Sequence, residues 1–221
     1  MREPVCVGRY EAYAQWRADQ LVTGSGEIAK RPGKPEKVRV QRGTLERRLH
    51  TFPRVDIALV LLGVADILSA DQRKHPGSTE YDFTRIISEL RSVNPNVVIL
   101  LGKPSSLSDN HPKRAGSYKG SDWATEYPKL LATIDKVAVT MTTEESPVDV
   151  VDFSHFDVND RVSFPDGLHG TRAVAAKMAA LWKEAMAPYI AEKPRGWTEK
   201  DEAEWKLANG NREVAKVAAS E

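Results

Sequence analysis

The sequence predicts a doubly wound α/β fold with a parallel sheet, on three observations. Short apolar runs, most of them closed by glycine, recur along the chain, and each has the form of a strand buried on both faces. Longer stretches between them carry apolar residues at helical spacing. Turns rich in glycine, proline and polar residues separate the two kinds of segment. Strands that alternate with helices in this way build a parallel sheet covered on both sides, and ligands on such sheets bind beyond the carboxyl ends of the strands.

The first run is Val5-Cys6-Val7-Gly8, followed by a helix over Arg9 to Val22 with Ala14, Ala18 and Leu21 on one stripe. Thr23 to Lys37 holds Gly24, Gly26, Pro32, Gly33 and Pro35 and reads as a loop. Lys37 to Gln41 alternates charge with valine as a half-exposed strand does, and Gly43-Thr44 opens a short helix through Leu49. Asp56 to Gly63 is the strongest strand, and its continuous apolar run makes it central and covered on both faces. Ser78 or Thr79 caps a helix in which Phe83, Ile86, Ile87, Leu90 and Val93 share a face, ended by Asn94-Pro95. Asn96 to Gly102 is a fourth strand. Lys103 to Gly120 is a long, polar, basic loop of the kind that covers sites or stays disordered. A helix over Asp122 to Thr143, a fifth strand over Val148 to Phe153 and a last core helix from Thr171 to about Met186 complete the domain. The architecture expected is a flavodoxin-like three-layer fold with a five-stranded parallel sheet over residues 1–191. A charged helical extension follows over 192–221, with Thr198 as cap and Trp197 and Trp205 as its large apolar groups.

Length and composition narrow the functional classes. The 221 residues, 41% hydrophobic and 29% charged, suffice for one domain with a substantial core and a short appendage. A net charge of +1 argues against a dedicated nucleic-acid binder. A single cysteine, Cys6, excludes an internal disulfide and any cysteine-rich metal site. No apolar run is long enough to span a bilayer and the first residues do not read as a signal peptide, so a soluble intracellular protein is expected. His50, His75, His111 and His155 are scattered without metal spacing, and neither metal nor cofactor is expected.

The chemistry concentrates in Phe164-Pro165-Asp166-Gly167-Leu168-His169-Gly170. Proline and glycine forbid a regular element here, so Asp166 and His169 sit on a loop. A carboxylate three residues before an imidazole can accept from one ring nitrogen and fix the tautomer. The other nitrogen is then left to take a proton from a nucleophile. A helix entry that merely contains a histidine would look the same in isolation. Asp66, beside Gly63, reads as a residue that caps the next helix or holds its loop.

The order of a first strand ending in Gly8, an isolated Gly43, a strand ending Leu62-Gly63-Val64-Ala65-Asp66 and a late Asp166-Gly167-Leu168-His169 resembles the SGNH/GDSL hydrolase family over about residues 4 to 190. The resemblance implies an esterase-type acyl-transfer site with Asp166 and His169 as acid and base of a triad. It also implies an oxyanion hole at Gly43, Gly63 and position 65. Two blocks depart from the family pattern. Arg9 and Tyr10 stand where aspartate and the nucleophilic serine belong, and Ala65 stands where an asparagine donates to the oxyanion. A phenol, with an ordinary pKa near 10, is a bulky and poor acyl acceptor.

Three readings follow. The chain is a non-catalytic SGNH-like module that meets protein partners through its C-terminal extension; or an ester hydrolase using His169 and Asp166 with water or an unusual hydroxyl; or a ligand-binding protein using the basic loop Lys103 to Lys119. For the second, Ser25, Ser69, Ser105 and Ser106 are the loop hydroxyls available; none follows the first strand at the spacing of a nucleophile turn, and Ser105 and Ser106 follow the fourth strand toward the same crevice.

Overall fold

The computed structural model describes residues 18–23, 25–28, 38–41, 44–50, 55–68, 79–111 and 123–190. Its elements in chain order are α1 (Ala18–Thr23), β1 (Ser25–Ile28), β2 (Val38–Gln41), α2 (Leu45–Leu49), β3 (Ile57–Leu61), α3 (Val64–Leu68), α4 (Thr79–Val93), β4 (Val98–Lys103), α5 (Trp123–Met141), β5 (Val148–Asp152) and α6 (Arg172–Ile190). The expected strand Val5 to Gly8 and the C-terminal extension from 192 lie outside the described residues.

A parallel sheet of order β3-β4-β5 forms the centre, with Leu59 opposite Leu100 and Leu101 opposite Val150. Among the described residues it has three strands, not the five expected. Val38–Gln41 is a strand, but it pairs antiparallel with Ser25–Ile28 in a separate two-stranded sheet, inside the stretch that reads as loop. Ser25-Gly26-Glu27 gives no apolar alternation; what makes it a strand is the backbone ladder to β2, a contact across the chain that no local pattern encodes.

The core follows the apolar periodicity. Phe83, Ile86, Ile87 and Leu90 of α4 and Leu130, Ile134 and Val137 of α5 are buried against Val60, Ile99 and Leu101. α6 packs its Met178, Leu181 and Trp182 on the other face, over Leu100, Val151 and Phe153. β4 is the central strand, with four consecutive buried residues. β3 is not central among the described strands: Val60 is buried, but Leu59 and Leu61 are 44% and 40% exposed. Alternation explains this, because Val60 points to the α4 and α5 face whereas α6 lies over β4 and β5.

Polar anchors hold the amino ends of the strands. The Arg91 guanidinium donates to Ser146 Oγ, Ser146 O and Met141 O at 2.9, 2.7 and 2.5 Å, and Ser146 Oγ donates to Val97 O. Asn94 reaches Val55 O. Thr44 caps α2, its Oγ1 accepting from Arg47 N. The last core helix runs four residues past the expected Met186 and carries Pro188 in its final turn.

Candidate functional site

Gly63 and the first turn of α3 stand at the carboxyl end of β3. Gly63 has φ +110°, and its carbonyl accepts from Asp66 N and Ile67 N at 3.1 and 3.2 Å, so the chain turns from strand into helix on this one residue. Ala65 lies in that first turn, half-buried, with a methyl group and no side-chain donor. Asp66 is 5% exposed and its carboxylate accepts from Ala18 N at 3.1 and 3.2 Å. It therefore holds α1 to the end of β3 rather than capping its own helix.

Asp166 and His169 are in contact on the loop after β5. The loop after β5 turns through Phe164, buried at 2%, and Gly167, whose φ of +75° is left-handed. That turn folds the next two peptides back onto Asp166: Leu168 N and His169 N donate to Oδ1 at 2.9 and 2.7 Å. The His169 ring closes on Oδ2 at 2.6 Å through Nδ1. An ionised carboxylate only accepts, so Nδ1 carries the proton, and Nε2 of the neutral ring keeps its lone pair. The His169 side chain is 78% exposed, so that lone pair is open to a reacting group.

Partial burial pushes the Asp166 carboxyl up. The bond from the His169 ring, the His169 and Leu168 N–H groups and the nearby imidazole outweigh it and hold the group well below the ordinary carboxylate range. A depressed folded-state pKa means the unfolded chain binds more protons, so this stabilisation is complete above about pH 4 and is lost as pH falls through the folded-state pKa. Melting temperature is expected to drop on acidification below about pH 4, with a smaller drop in Asp166→Asn. Thermal scans from pH 5 to pH 2 check this, and the contribution is modest because the pair is exposed to solvent.

A second carboxylate three residues before a histidine, Asp152 and His155, ends β5 and shows what the glycine contributes. Position 153 is a fully buried phenylalanine, Asp152 Oδ1 accepts from Ser154 N at 2.7 Å, and the His155 ring stacks on Phe156 at 4.9 Å. Among the described residues no hydrogen bond joins the His155 ring to Asp152. The shared spacing alone does not make a pair.

Of the remaining expected site residues, Gly43 and Tyr10, with Gly8 and Arg9, lie outside the described residues. Of the alternative hydroxyls, Ser69 and the Ser25 side chain lie outside the described residues. Ser106 Oγ accepts from the Trp123 indole at 3.0 Å, and among the described residues Asp166 is the sole hydrogen-bond partner of the His169 ring.

Sequence reasoning missed a buried trio, Asp19, Asp66 and Asp82, each with an oxygen within 4.8 Å of the others. Carboxylates so spaced are the described group that could hold a cation. All three are already engaged in interactions within the protein. Their positions on α1, α3 and α4 share no local sequence signal.

No protein-family model matches the chain, and no curated protein matches it by sequence. Solved structures do match in fold. One is a carbohydrate esterase family 3 protein from Talaromyces cellulolyticus, 16% identical, covering 80% of this chain and 69% of that one, with a TM-score of 0.51. An acetyl esterase mutant with acetate ion is 17% identical over 80% of this chain and 70% of that one, at 0.53. A Clostridium thermocellum family 3 carbohydrate esterase is 17% identical over 80% and 68%, at 0.52. The chain is similar to these structures in fold, an α/β architecture around a parallel sheet. No helix of the described residues is long and apolar enough to cross a membrane.

Proposed function

We propose that this chain is an SGNH-hydrolase-like protein that has lost ester hydrolysis and serves as a structural or interaction subunit of a larger assembly. The observation that carries the reading is Ala65. It occupies the first turn of α3, behind the carboxyl end of β3, with a methyl group where the resemblance requires an amide donor. Losing one aimed donor costs on the order of 3 kcal/mol of transition-state stabilisation. Tyr10 at the nucleophile position removes the acyl-enzyme route as well, since its phenol is both bulky and weakly nucleophilic when protonated. The extension over 192–221, with Trp197 and Trp205, supplies the contact surface, because tryptophans concentrate at interface centres.

The structural neighbours are carbohydrate and acetyl esterases, so acetyl esters are the substrate class to test. The purified full chain is expected to hydrolyse 4-nitrophenyl acetate and acetylated xylo-oligosaccharides no faster than its His169→Ala variant. A wild-type rate that exceeds the variant's tenfold or more overturns the reading.

The Asp166–His169 geometry favours a second reading. A carboxylate-held imidazole with an open Nε2 is equipped to take a proton from water, which supports an acetyl-ester hydrolase that acts without an enzyme nucleophile.

A further inference from the structure

We infer that Ser108, on the loop that leaves β4, is a positioning residue for the Asp166–His169 pair, fixing the conformation of Gly167 through its main-chain N–H and its buried side chain. The inference rests on reading that pair as the proton-handling unit.

The loop itself is rigidly anchored. Leu107 is fully buried, the Trp123 indole donates to Ser106 Oγ at 3.0 Å, and the Tyr127 hydroxyl donates to Pro104 O at 2.8 Å. Helix α5 thus holds the loop from one side. On the other side the loop grips the chain that carries the pair, at two points. Asn159 Oδ1 accepts from Asp109 N at 2.8 Å while Asn159 Nδ2 donates to Asp109 Oδ2 at 3.0 Å. Ser108 N donates to Gly167 O at 2.9 Å.

The second grip is also steric. A Cβ at position 167 would lie 2.0 Å from Ser108 Oγ and 2.8 Å from Ser108 Cβ. Position 108 therefore occupies the room a side chain at 167 would need, so the left-handed turn is kept to glycine by a neighbour as well as by its φ. Ser108 is 1% exposed and its Oγ has no hydrogen-bond partner among the described residues. A buried, unpaired hydroxyl is unfavourable for packing alone, and such groups concentrate where geometry is held for another purpose.

The consequence reaches the imidazole through two peptides. Gly167 O is fixed by Ser108 N, so the Gly167–Leu168 peptide plane is fixed, and its N–H points at Asp166 Oδ1. The next N–H, of His169, meets the same oxygen, and the ring closes on Oδ2. Rotating the peptide at 167 would withdraw donors from Asp166 and swing the ring off its carboxylate. Arg161, which donates to Pro165 O at 3.4 Å, places its guanidinium 3.2 Å from where a Cβ at 167 would stand.

The test follows the Asp166 carboxyl by ¹³C NMR titration in the full chain, so it reads the turn and not turnover. Gly167→Ala and Ser108→Val are each expected to move the Asp166 midpoint up by about one pH unit, as its hydrogen bonds open. Ser108→Gly combined with Gly167→Ala is expected to recover at least half of that change. An unmoved midpoint in folded Ser108→Val overturns the inference, even where Gly167→Ala does not fold. So does a double variant no closer to wild type than Gly167→Ala. Absence of ester hydrolysis would leave these results unaffected, so the two readings fail separately.

Discussion

Acetyl-ester turnover is expected to rise by about 10³-fold or more when Arg9→Asp, Tyr10→Ser and Ala65→Asn are combined in one chain. The wild-type chain already holds the Asp166–His169 pair in contact, with the tautomer fixed and Nε2 open. Serine at position 10 would supply an alkoxide once that nitrogen takes its proton. Asparagine at position 65 would supply a donor from the first turn of α3. One oxyanion donor is worth about 10²–10³ in rate. The members of a nucleophile–base unit act together, so the single substitutions should give far less than the three combined. Adding His169→Ala to the triple variant should remove the gain. Initial-rate assays on 4-nitrophenyl acetate check both statements. A triple variant no faster than wild type, with the Asp166 titration unchanged, would mean that residues 8–10 do not lie beside the pair, and the carry-over of the family pattern onto this chain would fall with it.

The parts of this architecture that a sequence can specify locally were legible, and those that depend on contacts between distant segments were not. Five or six apolar residues in succession mark β3 and β4, because a strand inside a parallel sheet needs nothing polar along it, while β5 is marked by Val148, Val150 and Val151 around Asp149. The 3.6-residue stripe marks α4 and α5 for a similar reason. The Asp166–His169 pair was legible since both members sit on a single turn, and proline and glycine define that turn from within. β1 was not, because its partner β2 lies across a long connection and its own residues carry no alternation. Leu59 and Leu61 read as covered and are exposed, since which face a helix protects is decided by α6, not by the strand. Asp19, Asp66 and Asp82 are drawn from three elements. Ser108 escaped notice next to Ser105 and Ser106, since its meaning lies in a glycine on the next loop.

Gly63→Ala should destabilise the protein by about 2–4 kcal/mol. Two costs add. A φ of +110° lies beyond the left-handed well that an alanine tolerates, a strain of about 1–3 kcal/mol. The new Cβ would also stand 2.6 Å from Leu130 Cδ1 and 2.8 Å from Cδ2, closer than real side chains approach. Leu130 is a buried residue of α5 and cannot swing into solvent, so α5 or the β3–α3 turn must shift. A double-mutant cycle separates the two costs. Leu130→Ala alone should cost about 2–5 kcal/mol by leaving a cavity. In the Gly63→Ala, Leu130→Ala double variant the added methyl partly fills that cavity and the clash is gone. The pair should therefore be less destabilised than the sum of the singles by about 1–3 kcal/mol, as read from urea unfolding. Full additivity would assign the whole cost to the backbone at Gly63 and none to its packing on α5. The distinction reaches the site, because the same carbonyl that opens α3 fixes where position 65 stands: if α5 sets the angle of the Gly63 turn, an oxyanion donor restored at 65 is aimed by a helix that carries none of the chemistry.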